Sequence, residues 1–494
     1  MKDAILKLSF MDSELIEEVH NASLSVLEET GIMIDSEKVY KILKREGIDV
    51  QVIDEKRGKT FWRVRFGRDV IAKALETAPK TITLAGRHSK YDLHLDGRGS
   101  AESIYFGTWG SASMIHDLET GERRLGTLED LVKFARLADA LENIDFFHVM
   151  MIPHDSPKPV VDLYRWKTAF ENQPKHTMTT AVYDVRNMPF LIEMAAAVAG
   201  GDDELRRRPI FSAIECPVAP LYFGERVAEN IIDLAKAGVP VLSYSEPFAG
   251  ATSPVTLAGT LVITNAESLA GIALTQIANP GSPVIKSSAA SVMDLRTGNI
   301  SLGAAETGLL NVATTEMARF YGIPNSTTGG RTDSKVADCQ SGFERQGNLL
   351  LAALAGSNLN IFGGELESTL TTSPSQLVID DEIIKRTKRF LRGFSVNKET
   401  LAVDLIRQVG PGGQYLGNKH TLHHMRNEIL LPNMSSKGSY EDWRSKGGLN
   451  LEQVAQKKAQ ELLRTHKPQL LEEVKRKELE RIVREAEKMH GIKS

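Results

Sequence analysis

Residues 239–288 contain three runs that indicate the fold class: VPVLSYS at residues 239–245, AESLAGIALTQIA at residues 266–278 and SPVIKSS at residues 282–288. The two outer runs are short and apolar, as buried strands are, and the middle run has the length and apolar pattern of a helix. Two parallel strands need a long crossover between them, usually a helix. These runs therefore predict a strand, a crossover helix and a second, parallel strand.

The same alternation extends outward in both directions from about Ser103, with a repeat of roughly 30 to 45 residues. The other strand-like runs are SIYFGT, DFFHVMM, KHTMTTA, PIFSAIE, IPNSTTGG and LNIFGGE. About eight strands with intervening helices match a (β/α)8 or TIM barrel. A doubly wound open sheet is the alternative, but the first strand-to-helix turn, YFGTWGSAS, lacks the dinucleotide-binding fingerprint. We predict an α/β protein built on a TIM barrel.

Regions of different character flank the barrel. An amphipathic helical pattern from Asp12 to Thr30 and the strand-like KTITLAGR precede it, and a nearly all-polar helical tail from Leu449 to Ile492 follows it. We expect the tail to cover the barrel or to join a subunit. The predicted domains are an N-terminal α/β appendage (residues 1–100), the catalytic barrel (residues 101–380) and a mostly helical C-terminal extension (residues 381–494).

Composition excludes several classes of function. The chain has 494 residues and a formal net charge of -4, which is no footprint for nucleic acid or an anionic membrane. The first residues lack a secretory signal, and no later segment approaches the ~20 uninterrupted apolar residues of a membrane span. Only Cys216 and Cys339 occur, which fits a reducing compartment and excludes a disulfide framework. We expect a cytoplasmic protein with no nucleic-acid or membrane partner.

Polar and aromatic residues follow the predicted strands, where the active sites of TIM barrels lie. They include Tyr105, Trp109, His148, Thr179, Glu215, Cys216, Tyr244, Glu246, Phe362 and Glu365. A zinc site of His148, Glu215 and Cys216 is one alternative, although no tight ligand spacing supports it, and we expect no metal. A Ser-His-Asp hydrolase would more often show a GxSxG turn, which this sequence lacks.

The segment STTGGRTDSKVADCQ, Ser326 to Gln340, follows the seventh strand. Its glycines, Gly329 and Gly330, let a ligand approach the main chain closely. A substrate carboxylate would find donors in Arg331, in Lys335 or in the backbone amides that start the next helix. The segment therefore predicts the loop that contacts the ligand.

A quaternary ammonium would use most of this set of residues at once. Its N-methyl groups carry no hydrogen-bond donor and are held by ring faces. We predict a cage of four rings, with Glu215 or Glu246 adding negative charge at a distance. The four rings are Tyr105, Trp109, Tyr244 and Phe362.

Four segments resemble the trimethylamine methyltransferase family of corrinoid-dependent enzymes: IEEVHNASLSVLEETGI, TTGGRTDSKVADCQSGFE, IFGGELES and GGQYLGNKHTLHHMRNE. The resemblance covers nearly the whole chain. It implies a TIM barrel that passes a methyl group from a methylated amine to the Co(I) cobalamin of a separate corrinoid protein. The chain itself would then hold no cofactor tightly.

The archaeal trimethylamine enzymes of that family carry pyrrolysine, which the resemblance places near Arg331 to Asp338, whereas this chain contains ordinary residues throughout. It therefore resembles the non-pyrrolysine branch, whose members demethylate quaternary amines. We expect glycine betaine as the substrate and dimethylglycine as the product. Proline betaine, carnitine and γ-butyrobetaine are alternatives, as are a non-catalytic betaine-binding barrel and a zinc-dependent methyltransferase.

On these grounds we assign site residues in two groups. The catalytic group is Arg331, Asp333, Ser334 and Lys335. The substrate-binding group is Tyr105, Trp109, Thr179, Glu215, Tyr244, Glu246, Gly330, Phe362 and Glu365. The loops after the strands, and the C-terminal segment with His420, His423 and His424, are candidates to contact the corrinoid protein. We also expect a homo-oligomer.

Overall fold

The computed structural model describes residues 2–4, 8–56 and 58–492, so the outermost residues of both predicted appendages lie outside the described part. Eight strands close into a barrel in which every neighbouring pair is parallel. They are β1 (Tyr105–Thr108), β2 (Phe146–His148), β3 (His176–Thr180), β4 (Phe211–Glu215), β5 (Val241–Ser245), β6 (Val284–Ser288), β7 (Asn325–Thr327) and β8 (Leu359–Gly363). Each strand lies within one of the runs that predicted it, which confirms the TIM barrel.

A helix follows each strand and packs on the outside of the barrel. The helices are α1 (Leu128–Ala140), α2 (Val161–Asn172), α3 (Met188–Ala199), α4 (Glu225–Ala237), α5 (Leu257–Ala278), α6 (Ala305–Tyr321), α7 (Cys339–Ala355) and α8 (Pro374–Arg392). The sequence pattern identified neither α2 nor α8. In length and composition α5 could cross a membrane, but 72% of its most apolar window is buried inside the protein, as in a core helix.

The strand register decides which side chains enter the lumen, meaning the interior of the barrel. Paired residues of a parallel ladder point to the same side, and Tyr244 of β5 pairs with Ser287 of β6, which pairs with Ser326 of β7. Tyr244 packs in a core cluster with Phe146 and Met178, so this row faces the lumen. Alternate residues face the helices, as Ser243 does by donating a hydrogen bond to a carbonyl of α5.

The N-terminal region closes one end of the barrel. A hairpin of Thr81–Leu84 and Leu93–Asp96 places its apolar side chains in the same cluster as the lumen residues. Before it lie the helices Ser13–Ser25, Glu37–Arg45 and Arg68–Thr77 and the antiparallel strands Asp49–Lys56 and Lys59–Arg65. The hairpin packs where the strands begin and closes that end; we call the opposite end, where the strands finish, the mouth.

The C-terminal region covers part of the helical layer. Helix α8 runs to Arg392, past the boundary expected at residue 380. Helix Leu451–Thr465 packs against α8 and α1, and helix Glu473–Met489 packs against α3 and α2. Between α8 and the first of these helices lie the short helices Lys398–Leu401, Val403–Val409, Lys419–Glu428 and Tyr440–Ser445 and the strand Phe394–Val396.

Candidate active site

A fully buried arginine is the centre of the mouth. The guanidinium of Arg331, in the loop after β7, donates from Nη1 to Glu246 Oε1 at 3.1 Å and from Nη2 to Tyr244 Oη at 3.0 Å. Its Nε lies 3.5 Å from Glu365 Oε2, and its Cζ lies 3.7 Å from the centre of the Trp109 ring. Four of the predicted site residues, Trp109, Tyr244, Glu246 and Glu365, therefore surround Arg331, which is itself a predicted site residue.

The two carboxylates around Arg331 differ in environment. Burial raises the pKa of Glu365 to about 7, against the opposing effect of the Arg331 and Arg345 charges. The side chain of Glu246 is 27% exposed, so it keeps contact with solvent. The net charge of the group around Arg331 therefore depends on whether Glu365 holds its proton.

His148 at the end of β2 forms the neighbouring wall. Its ring meets the edge of Trp109 with centroids 5.3 Å apart. Burial and the charges of Arg165 and Arg331 hold the pKa of His148 well below its usual value, so the imidazole is neutral near pH 7. A neutral imidazole offers one donor and one acceptor to a ligand.

Several buried polar atoms of β7, of the loop that follows it and of the residues around Arg331 have no hydrogen-bond partner among the described residues. Buried polar atoms in folded proteins are nearly always paired, so a group of orphans marks a place for water or a ligand. Register places Ser326 in the lumen, and Thr328 follows it two residues on. The atoms are Trp109 Nε1, His148 Nδ1, Ser326 Oγ and Thr328 Oγ1. Arg331 Nε and Glu365 Oε2 also lack a hydrogen bond, but they form an ion pair with each other at 3.5 Å.

The other predicted catalytic residues hold the loop rather than line the lumen. The Asp333 carboxylate accepts from Ser301 Oγ at 2.5 Å, from the Leu302 amide at 2.7 Å and from Ser368 Oγ at 2.8 Å. It thus ties together the loops after β6, β7 and β8. Ser334 Oγ donates within its own turn, to the Val336 carbonyl at 2.9 Å. Lys335 is exposed, and its Nζ donates to the Asp333 carbonyl at 2.8 Å.

Gly330 sets the position of Arg331. Its φ is +103°, in the left-handed region, and an added Cβ would lie 2.7 Å from the Phe362 ring. Its carbonyl accepts from Arg345 Nη1 at 3.0 Å, and the same nitrogen lies 3.2 Å from Asp380 Oδ2. A second buried arginine therefore fixes the backbone beside the first.

Four predicted binding residues do not come to the mouth. Tyr105 is at the closed end, where its hydroxyl accepts from the His94 amide at 3.1 Å. The other three, Thr179, Glu215 and Phe362, occupy strand positions whose side chains point outward toward the helices. Thr179 accepts a hydrogen bond from Arg165 of α2 at 3.1 Å, and Glu215 accepts one from Asn230 of α4 at 3.0 Å. Phe362 packs against α7 and α8. The four rings expected to form a cage therefore do not assemble; only Trp109 and Tyr244 do.

A zinc centre at the mouth is not supported by the positions of the proposed ligands. Glu215 faces α4 while Cys216, the next residue, packs with the lumen cluster. Within the described residues, three or more potential ligand atoms of His, Cys, Asp or Glu cluster at Glu399, His423 and His424, on the surface far along the chain. These residues lie in the C-terminal segment, outside the barrel.

Sequence reasoning missed two residues that position the site. Arg165 of α2 is fully buried and donates to Ser111 Oγ at 2.8 Å and to the Met151 carbonyl at 3.1 Å, which fixes the loops after β1 and β2. Arg345 of α7 fixes Gly330. The available signal for Arg345 was a lone arginine ahead of the apolar run of α7, which predicts a buried charge with a specific partner. Helix α2 offered no such signal for Arg165, because other charged residues surround it.

The fold and the site together define a TIM-barrel protein whose candidate active site lies at the carboxyl ends of its strands. The sequence model of the family described as trimethylamine methyltransferase (MTTB) matches residues 1–490. The chain belongs to this family, and it is a methyltransferase.

Three relatives illustrate the range of the family. The chain is 35% identical over 483 residues to the trimethylamine methyltransferase MttB of Desulfitobacterium hafniense (strain DSM 10664 / DCB-2), with 98% of this chain and 95% of the relative covered. It is 33% identical to the glycine betaine methyltransferase of D. hafniense (strain Y51), with 96% of each covered. It is 33% identical to the trimethylamine methyltransferase MttB2 of Methanosarcina mazei, with 93% of this chain and 92% of the relative covered.

Proposed function

We propose that this enzyme transfers a methyl group from a quaternary amine that carries a carboxylate, glycine betaine first among them, to the corrinoid of a separate protein in the cytoplasm. The observation that carries the choice of substrate is a set of buried donors without a hydrogen-bond partner among the described residues, in Trp109 beside Arg331 and in the segment that leads from β7 to Arg331. Trp109 Nε1 can only donate, and the hydroxyls of Ser326 and Thr328 can donate as well. A carboxylate accepts several such bonds, whereas a tetraalkylammonium accepts none.

The ammonium end of such a substrate needs weak, not strong, negative charge around it. The nitrogen loses its positive charge as the methyl group leaves, so a carboxylate pressed against it would stabilise the substrate more than the transition state. Glu246 and Glu365 are both engaged with Arg331, at 3.1 Å and 3.5 Å. They supply long-range attraction while their oxygens are already directed at a cation.

The methyl acceptor must reach the mouth, and the rim of the mouth fits a protein surface. Large exposed apolar side chains occur on the connections after β1 and β3 to β8. Exposed apolar side chains on the loops at one end of the barrel suit contact with a protein partner. The residues are Leu125, Tyr183, Val218, Val255, Leu295, Val336 and Leu370, each between 41% and 65% exposed.

The corrinoid supplies Co(I), a strong nucleophile, when its carrier docks on this rim. The chain's own residues then act by position: they orient the substrate through its carboxylate and exclude water from the buried lumen. The leaving amine departs neutral and needs no general acid, which agrees with the neutral state of His148. The nearby thiol of Cys216 is also held neutral, because burial raises its pKa well above the usual value.

The test is an anaerobic mixture of the purified protein, Co(I) cobalamin and an amine, followed by the visible spectrum of the corrinoid. Methylation of the corrinoid with glycine betaine, and not with trimethylamine or tetramethylammonium, is the expected result. Equal rates with tetramethylammonium would contradict the role of the carboxylate. If calorimetry shows that the protein binds glycine betaine but the corrinoid is not methylated, the transfer reaction is contradicted. The protein would then be a betaine-binding barrel without this activity.

A further inference from the structure

The stretch between α8 and helix Leu451–Thr465 has no core of its own. We call residues 388–454 the arm. Thr387 and Ala455 are buried, but no residue of the arm between them is, and all of these residues are described. The arm nevertheless has four short helices with side-chain caps at Asn397, Asn418 and Ser439.

Ordered backbone without burial is unstable in a single chain. Fixing a residue costs about 1–2 kcal/mol of conformational entropy, which buried apolar surface normally offsets. The arm instead exposes its apolar side chains: it contains 14 of the 32 large hydrophobic residues that are exposed in the described chain. Among them are Leu401, Ile406, Leu416, Leu422, Ile429 and Tyr440, between 52% and 82% exposed. These side chains need a cover that the described chain does not provide.

We propose that the arm is covered by a second copy of this chain. Its apolar surface would stay exposed for most of the time if the cover were a transient partner, and large hydrophobic interfaces are typical of permanent homo-oligomers. A second copy is the one partner present whenever the chain is. The length of the arm also exceeds the roughly 20 to 30 residues a side of a standard interface.

The position of the arm separates it from the methyl acceptor. Helix α8 begins beside the loop after β8, where the Gly364 amide donates to Asp380 at 2.7 Å. Near its other end Lys388 Nζ donates to the carbonyl of Asn143 at 3.4 Å, just before β2 starts. The arm therefore leaves the barrel at the closed end, and a protein docked at the mouth does not contact its start.

Charge favours contact between the arm of one copy and the body of another. The arm has ten Lys and Arg residues against six Asp and Glu, while the whole chain has 60 against 64. The arm thus carries +4 and the remaining residues -8. An exchange in which each arm lies on the body of its partner is the two-fold arrangement expected of a closed dimer.

The decisive experiment is the mass of the full chain by light scattering after size exclusion, at 1 to 50 µM, compared with the variant Leu416→Ser/Leu422→Ser. The measured mass of the wild type is expected to be two or more times the 54.4 kDa of one chain. The double variant is expected to dissociate, with its dissociation constant raised about 100-fold or more. Val474→Ser is the matched control, because Val474 is 79% exposed but lies in helix Glu473–Met489, outside the arm; its mass should equal that of the wild type.

Hydrogen exchange shows which partner covers the arm and tests whether the double variant is still folded. Slow exchange of the amides of helix Lys419–Glu428 in the wild type, and fast exchange there in a double variant whose barrel strands stay protected, would support the proposal. A wild-type monomer at 50 µM would overturn it, as would a double variant with unchanged mass. Protection of the arm that arises only when a corrinoid protein is added would assign the surface to that protein instead. None of these outcomes depends on methyl transfer.

Discussion

The guanidinium of Arg331 lies on the face of the Trp109 indole, with 3.7 Å between Cζ and the ring centre. The protein's own cation therefore occupies the aromatic face that a substrate ammonium would otherwise use. If the substrate is the betaine proposed above, we expect its carboxylate, rather than its ammonium, to lie toward Trp109 and Arg331.

We expect Arg331→Lys to lower kcat/KM for methyl transfer by roughly 100-fold, because a lysine cannot reproduce the contacts with Tyr244, Glu246 and Glu365, and small displacements at a reaction centre cost about that much. Lys335→Ala is the control in the same loop, since Lys335 is exposed and bonds only a neighbouring carbonyl. It should stay within about twofold of the wild type. Equal losses in the two variants would show that the loop, and not the guanidinium, matters.

The hydroxyl of Thr328 should be needed for substrate and unfavourable for folding. It is buried with no hydrogen-bond partner among the described residues, so Thr328→Val is expected to raise the free energy of unfolding by about 1 kcal/mol and to raise the KM for glycine betaine about tenfold. Thr327→Val is the matched control: Thr327 Oγ1 bonds Ser357 Oγ at 2.8 Å on the outer side of the strand. That change should cost about 1 kcal/mol and leave KM unaltered. Denaturant titration and initial rates measure both quantities, and a stable Thr328→Val enzyme with normal KM would refute the assignment.

Gly330→Ala is expected to destabilise the protein by about 1–3 kcal/mol and to abolish most activity, because the left-handed backbone and the nearby Phe362 ring leave no room for a methyl group. Gly342→Ala serves as the comparison. Gly342 lies within α7 with nothing near an added Cβ, so alanine there should stabilise by about 0.5–1 kcal/mol. Thermal unfolding and the transfer assay test the pair; the same sign of stability change in both would contradict the argument.

Glu215 should make stability depend on pH. Burial raises its pKa to about 8 in the folded protein, above the ordinary 4.5 that applies when unfolded, so the folded state binds the extra proton between these values. Its contribution is therefore greatest at low pH and is lost as pH rises toward 8. Glu215→Gln removes this dependence and should become more stable than the wild type by about 1–3 kcal/mol at pH 8.5, with a smaller difference at pH 6.

Unfolding by urea at the two pH values measures that difference. Glu129→Gln is the control, since Glu129 is an exposed residue of α1 whose side chain is 78% accessible. A pH-independent difference between Glu215→Gln and the wild type would mean that Glu215 is ionised throughout.

Strand order and the location of the mouth could be predicted from the sequence because they depend on local patterns. Short apolar runs separated by helical periods fix the alternation, and parallel strands with crossovers close in only a few ways. The loop from Ser326 to Gln340 was identified for the same reason, since glycines and polar residues directly after a barrel strand are typical of a ligand-binding loop. The helix α2 was missed, since its Arg165 and other polar residues interrupt the apolar pattern.

Local patterns in the chain were enough to predict the barrel, and the resemblance of its motifs was enough to predict the family; the catalytic role of Arg331 stays a prediction. Which side chains share the lumen was settled by strand register in the folded protein, because a shift of one residue along a strand moves a side chain to the opposite face. That parity sends Thr179, Glu215 and Phe362 to the helices and brings Ser326 and Thr328 inside. Likewise, the sequence of the arm did not indicate that its helices are exposed. Their exposure depends on where they lie in the folded protein, because no other described element packs over them to form a core.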